Sequence, residues 1–162
     1  MLPNYQSILV ATDLSANAVY AFKHAVMMAR RNQAKLYLLH VIPEVDASMR
    51  SYISAMMTKG SLDKFENQHE EEARQQIADG IKAFATEELA DHPEDLKRIA
   101  GIEVLHGNPV AKILQTADRL QVDVIVMGTH GKGAMEYAFL GSVAEKVLRK
   151  SKKPVFVIPL LD

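Results

Sequence analysis

The stretch SILVATDLSANAVYAFKHAVMMARR, from Ser7 to Arg31, contains the smallest complete unit of the predicted fold. It opens with the near-continuous apolar run Ser7–Thr12, which is typical of a strand buried on both faces. A helix is predicted to follow, with Ser15 or Asn17 as its capping residue. Its buried face is predicted from apolar residues at helical spacing, namely Ala18, Ala21, Phe22, Ala25 and Ala29. A strand that leads directly into a helix is the unit of a parallel α/β sheet.

The rest of the chain repeats this unit. Four more apolar runs predict strands at Lys35–Ile42, Ile102–His106, Val122–Met127 and Pro154–Pro159. Three helical patterns lie between strands: one runs from His69 to about Leu89, one begins at Asn108 and Pro109, and one begins near Gly141 with Val143, Val147 and Leu148 inward. With right-handed crossovers, this order predicts an open five-stranded parallel sheet, in the order 3-2-1-4-5, sandwiched by helices.

Composition restricts the function. The chain has 162 residues, and we expect one domain over residues 1–162. A net charge of −1 argues against a nucleic-acid partner, and the lack of cysteine excludes disulfides and thiolate chemistry. We see neither a leader sequence nor a membrane span, and we therefore expect a cytoplasmic location. The six histidines show no metal-ligand spacing, so no protein-held metal is predicted. His40 and His106, in or beside predicted strands, are predicted to be satisfied core residues.

One segment, at about residues 44–67, is long for a connection between a strand and a helix. It is rich in methionine, and Met49, Ile53 and Met57 recur at rough helical spacing. Two interpretations stay open for it. It forms a short helix that covers the core, or it forms a lid or a surface for a regulatory protein partner that the sequence does not identify.

The predicted strand order places a ligand crevice between strands one and four, where the winding reverses. Half of the chain's eight glycines follow strand four, at Gly128, Gly131, Gly133 and Gly141. Glycines let backbone amides approach a ligand closely, and the helix that starts after Gly141 offers amides without internal partners. With the hydroxyl of Ser142 and the charge of Lys132, this loop is suited to a polyphosphate.

Asp13, at the end of strand one, would repel a phosphate but could accept both hydroxyls of a ribose. The ligand that this pair of features indicates is a nucleotide. The alternative for Asp13 is a carboxylate that only stabilises the start of the next helix. Neither a G-x-x-x-x-G-K-[ST] loop nor a G-x-G-x-x-G fingerprint is present, so the common nucleotide loops do not apply.

These residues resemble a known family. Gly128-x-x-Gly131, nine residues and then Gly141-Ser142 resemble the G-2x-G-9x-G-[S/T] motif of ATP-binding universal stress proteins. The stretches ILVATDLSANA, LLHVIP, GNPVAKIL and GSVAEKVLRKSKKPVFVIP resemble the same family, so the resemblance covers nearly the whole chain. It implies a Rossmann-like fold of the adenine nucleotide α-hydrolase type. The segment 44–67 is then the variable part of the domain.

The resemblance also implies a site and a partner. ATP, with Mg²⁺ arriving on its phosphates, would contact thirteen residues: Ala11, Thr12, Asp13, Val41, Met127, Gly128, His130, Gly131, Lys132, Gly133, Gly141, Ser142 and Val143. Asp13 would hold the ribose and Val41 would lie along the adenine. Glu136 departs from the basic residues usual in this part of the loop, and pointing inward it would weaken triphosphate binding or require Mg²⁺. The resemblance further implies a homodimer through the last strand, Val155–Pro159.

The predicted function is an ATP-binding regulatory module in the stress response, with no catalytic residue. A slow ATP hydrolase or phosphotransfer enzyme assisted by His130 is one alternative. A non-ATP-binding interaction protein of the same fold is another, and a flavin-binding module is a minor third.

Overall fold

A computed structural model describes residues 1–43, 59–129 and 140–159, with the backbone alone for residues 59–69. Its sheet has five strands: β1 (Ser7–Ala11), β2 (Lys35–Ile42), β3 (Ile99–His106), β4 (Val124–Gly128) and β5 (Val155–Ile158). All four pairings are parallel and the order is β3-β2-β1-β4-β5. The predicted sheet and its strand order are therefore confirmed.

The helices are α1 (Ala16–Asn32), α2 (Lys59–Glu88), α3 (Pro109–Arg119) and α4 (Ser142–Lys150), with a 3-10 helix at Pro93–Arg98 before β3. α1 and α2 pack on one face of the sheet, and α3 and α4 pack on the other. Among the described residues, no helix is long and apolar enough to cross a membrane.

The near-continuous apolar strands follow from this double covering. In β1, Ile8 and Val10 point toward α1 and α2, whereas Leu9 points toward α3 and α4. All three side chains are fully buried. Because both faces of β1 are covered, its sequence shows no polar alternation. The predicted inward face of α1 is confirmed in the same way, since all five of its apolar residues are buried.

Several predicted boundaries and one predicted orientation are wrong. β4 begins at Val124 rather than Val122. α2 begins at Lys59 rather than His69, because the proline-free, charged stretch before its apolar stripe still favours a helix. β3 begins at Ile99 rather than Ile102. Leu148 is 40% exposed rather than inward, and Ala144 is buried beside Val147 instead. α4 is a nine-residue helix near the edge of the sheet, so it buries only a narrow stripe. The two interpretations of the methionine-rich segment concern mainly residues 44–58, which lie outside the described residues.

A buried ion cluster joins α1 to the 3-10 helix. The carboxylate of Asp95 is fully buried and accepts from Arg30 Nε at 3.1 Å, from a second Arg30 nitrogen, and from Arg98 Nε at 3.0 Å. The Arg30 guanidinium, with help from Arg98, holds the pKa of Asp95 below its ordinary value, although burial acts in the opposite direction. This cluster fixes the end of α1 against the segment that leads into β3.

Candidate functional site

The carboxyl ends of β1 and β4 lie side by side at the centre of the sheet, where the strand order reverses. Ligands of open α/β sheets bind at this kind of position. The turn after β1, the end of β4 and the start of α4 each supply part of the edge. They contribute the described predicted residues Ala11, Thr12, Asp13, Met127, Gly128, Gly141, Ser142 and Val143.

The turn from Thr12 to Ser15 is fixed by its own side chains. Leu14 N donates to Thr12 Oγ1 at 3.1 Å, and Ser15 N donates to Asp13 Oδ1 at 3.0 Å. Leu14 has φ 65°, in the left-handed region that a leucine rarely adopts, and it is 37% exposed. A strained and exposed apolar residue held by local hydrogen bonds is typical of a functional turn.

Asp13 also supports the start of α1. Its Oδ1 accepts from Ser15 Oγ at 2.5 Å, and Ser15 Oγ accepts from Ala18 N at 3.2 Å as the N-cap of the helix. Of the two predicted caps, Ser15 is therefore correct and Asn17 is not. Asp13 is half-buried, with one oxygen committed to this turn. Part of its role is thus structural, as the alternative interpretation of Asp13 anticipated.

Gly128, the last residue of β4, touches α1. A Cβ placed there would lie 2.5 Å from Asn17 Nδ2 and 2.9 Å from Asn17 Cγ, and Asn17 is buried. The first turn of α1 can therefore reach the end of β4 only because residue 128 has no side chain. Sequence reasoning assigned Gly128 to the ligand and missed this packing reason, for which the sequence carries no local signal.

The start of α4 is held in place by backbone bonds. Thr129 N donates to Ile158 O at 3.0 Å, and Gly141 N donates to Thr129 O at 2.6 Å. These bonds tie the amino end of α4 to the carboxyl ends of β4 and β5. Ser142 is exposed and Val143 is half-buried.

Gly141 is the N-cap of α4 and has no side chain with which to accept from the first helical amides. α1 and α3 differ, because their first amides are met by Ser15 Oγ and Asn108 Oδ1 respectively. A helix start without a capping side chain, together with the positive end of the helix dipole, is suited to an anion. Asn108 as N-cap and Pro109 as first helical residue of α3 are confirmed.

The carboxyl end of β2 lies at the same edge of the sheet, on the side of β1 that faces away from β4. Thr12 N donates to Leu39 O at 2.8 Å, and the carbonyl of Thr12 accepts from His40 Nδ1 at 2.7 Å. Val41 lies one residue further along, with its side chain packed on the face that α3 and α4 cover. His40 and His106 were predicted to be satisfied core residues. Each has a partner, since His106 Nδ1 accepts from Arg74 Nε at 3.3 Å, but both are half-buried.

The remaining predicted loop residues, His130, Gly131, Lys132 and Gly133, lie outside the described residues, as does Glu136. In the part of the chain that the structure describes, no three His, Asp or Glu side chains are grouped to hold a metal ion. The described part of the site thus consists of a strained acidic turn, a glycine contact and an uncapped helix start.

Comparison with known proteins gives this arrangement a family. The model of the universal stress protein family matches residues 4–159. Universal stress protein MJ0577 of Methanocaldococcus jannaschii is 32% identical over 95% of this chain and 94% of its own. The solved structure of MJ0577 superposes with a TM-score of 0.74, covers 98% of each chain and is 30% identical.

Two more distant structures share the fold and were solved with nucleotides. One is a universal stress protein in complex with cAMP, with 22% identity, a TM-score of 0.57 and coverage of 96% of this chain and 98% of that one. The other is the universal stress protein of Archaeoglobus fulgidus in complex with dAMP, with 21% identity, a TM-score of 0.54 and coverage of 95% and 98%. On the family match and the MJ0577 likeness, this chain belongs to the universal stress protein family.

Proposed function

We propose that this protein is an ATP-binding regulatory module of the stress response, which holds an adenine nucleotide in the crevice between β1 and β4. The observation that carries the proposal is the start of α4. It lies at the reversal of the strand order and has a glycine where the starts of α1 and α3 have a capping side chain. The cAMP and dAMP complexes of proteins with the same fold support an adenine nucleotide as the ligand.

The phosphates belong at the α4 end of the crevice. The amides of Ser142 and Val143 and the hydroxyl of Ser142 would donate to phosphate oxygens, with Gly131, Lys132 and Gly133 completing the cradle. Each hydrogen bond to a charged group contributes about 1.5–3 kcal/mol. Three or four of them would account for much of the roughly 8 kcal/mol of a micromolar complex.

The nucleoside belongs at the other end. The Asp13 carboxylate would accept from the ribose, while Ala11, Thr12 and Val41 would line the base. The acidic turn suits the neutral nucleoside end of a nucleotide, and the amide-rich helix start suits its anionic phosphates. Mg²⁺ would enter with the phosphates rather than bind a preformed protein site.

Titration calorimetry of the nucleotide-free protein with ATP, ADP and AMP, with and without Mg²⁺, tests this proposal. We expect affinity to decrease from ATP to AMP, and Asp13→Ala and Gly131→Val to abolish binding. Since Asp13 also holds Ser15, its replacement should cost roughly 1 kcal/mol of stability as well. A wild type that ignores all three nucleotides, or variants with wild-type affinity, would contradict the assignment and favour an interaction protein of the same fold.

We also propose a homodimer through β5. This strand ends the sheet, so one of its edges is open to pairing with a second copy. Phe156 on β5 is 40% exposed, and its ring packs edge-on against that of Tyr5 at 6.0 Å. Sedimentation of the wild type and of Val157→Pro, which removes one amide donor from the strand, would test the pairing. A wild type that sediments as a monomer at micromolar concentration would exclude it.

A further inference from the structure

The carbonyl of Thr12 has an unusual partner. β1 and β2 are paired in parallel up to Ala11 and Leu39, and Thr12 N continues the ladder by donating to Leu39 O. In a regular parallel ladder, the next bond would join Thr12 O to Val41 N–H. Here Thr12 O instead accepts from the ring of His40, at 2.7 Å from Nδ1. A side chain of β2 has taken the place of a backbone donor of the same strand.

This replacement occurs where the two strands separate. β1 ends at Ala11, and the chain turns away through the Thr12–Ser15 turn, in which Leu14 N donates to Thr12 Oγ1. The hydroxyl and the carbonyl of Thr12 thus both accept hydrogen bonds, the hydroxyl from Leu14 N and the carbonyl from His40 Nδ1. By the alternation of the ladder, the backbone N–H and C=O of Val41 point to the same side as those of Leu39, toward the space that β1 has left.

We propose that His40 is a positioning residue for the base-binding end of the crevice. By donating to the Thr12 carbonyl, it prevents the next ladder bond between β1 and β2, from Val41 N–H to Thr12 O. The backbone N–H and C=O of Val41 then remain available to the base. The imidazole lies on the α1 and α2 face of the sheet, whereas the side chain of Val41 lies on the α3 and α4 face. His40 therefore acts on the ligand through Thr12. This role rests on the proposed nucleotide function.

The bond also assigns a proton. A carbonyl oxygen only accepts, so Nδ1 of His40 must carry a hydrogen. The ring is then either the Nδ1–H tautomer or the imidazolium. In both forms the Thr12 carbonyl remains held.

Two variants of His40 test the role. In His40→Asn the amide nitrogen takes approximately the place of Nδ1 and keeps a donor, whereas His40→Leu has none. Affinity is measured by calorimetry for three probes: ATP, adenosine and inorganic tripolyphosphate. We expect His40→Leu to bind ATP and adenosine about tenfold more weakly, the effect of one hydrogen bond, with tripolyphosphate affinity unchanged. His40→Asn should recover most of the lost affinity for both ATP and adenosine.

A nitrogen-15 NMR spectrum of the imidazoles in the nucleotide-free wild type gives a readout that does not depend on a ligand. We expect a protonated Nδ1 on His40; an unprotonated Nδ1 overturns the proposal. Equal losses for all three probes in His40→Leu overturn it too, since they indicate a general structural defect. If the wild type binds adenosine and His40→Leu binds it equally well, only the role of His40 fails. If the wild type binds neither ATP nor adenosine, the proposed function fails and the role fails with it.

Discussion

α3 and α4 begin at the same edge of the sheet and pack on the same face, yet their first turns differ. α3 is closed by its own sequence, since Asn108 Oδ1 accepts from Ala111 N at 3.0 Å and Pro109 has no amide hydrogen to satisfy. α4 begins after Gly141, which brings no acceptor. The N-cap residue of α3 therefore accepts from its own first turn, whereas the N-cap residue of α4 has no side chain to do so. Under the proposed function, this difference separates a part of the scaffold from a part of the nucleotide site.

The largest effect should come from giving the N-cap of α4 a side-chain acceptor. In Gly141→Asp, the new carboxylate would occupy the first amides of α4 and repel phosphates, so ATP affinity should decrease at least about 100-fold. Stability should be unchanged or higher by a few tenths of a kcal/mol, because Asp is a somewhat better N-cap than Gly. Calorimetry with ATP and urea denaturation measure the two quantities. Unchanged ATP affinity would remove the distinction between the two helices.

A carboxylate remote from both helix starts should show the opposite pattern. Asp95→Ala leaves Arg30 and Arg98 without their common buried partner. We expect it to lower the free energy of unfolding by about 3 kcal/mol while the Kd for ATP stays within a factor of two. Urea denaturation and calorimetry with ATP measure these effects. Loss of ATP affinity in a variant that is still folded would show that stability and binding are not separate in this molecule.

The same cluster has a defined pH dependence. Because the pKa of Asp95 is lowered in the folded protein, the unfolded chain takes up the proton at the higher pH, near 3.9. The stabilisation is therefore complete above about pH 5 and decreases as the pH falls through the folded pKa. We expect the difference in unfolding free energy between wild type and Asp95→Asn to be constant from pH 5 to 8 and to shrink below about pH 4. A difference that grows toward acid would have the wrong sign.

Gly128 tests whether a glycine of the motif also serves the scaffold. Gly128→Ala should cost about 2 kcal/mol, because its Cβ would overlap the buried Asn17 side chain. In the Asn17→Ala background the same change should cost at least about 1 kcal/mol less, since the overlapping amide is gone. A double-mutant cycle by urea denaturation gives this coupling. Additive effects would mean that the contact does not require the glycine.

The smallest effect is the reverse experiment on α3. Asn108→Ala removes the cap, so it should lower stability by about 1 kcal/mol without changing the affinity for ATP. Denaturation and calorimetry on one preparation suffice. A loss of ATP affinity here would place the ligand against α3 as well and would weaken the contrast with α4.

Features with a local signal could be predicted from the sequence. Apolar runs and helical spacing report burial directly, so the five strands, their order and the caps Asn108 and Ser15 were foreseen. The convergence of Thr12–Ser15, Gly128 and Gly141 at one edge was foreseen from the strand order. The thirteen-residue ATP site itself stays a prediction.

Features that depend on distant partners could not be predicted. Asp95 finds Arg30 65 residues away, and nothing near Asp95 distinguishes it from a surface acid. The Gly128–Asn17 contact and the His40–Thr12 bond depend likewise on how separate elements meet. The exposure of Leu148 depends on how much of α4 the sheet edge covers.

The most direct test of the central claim is the change in backbone amide shifts when ATP is added to the nitrogen-15-labelled, nucleotide-free protein. We expect the amides of Ser142 and Val143, at the start of α4, to shift strongly and to saturate, while those of Val110 and Ala111, at the start of α3, stay unchanged. Saturating shifts that avoid the start of α4, or equal shifts at both helix starts, would contradict the claim.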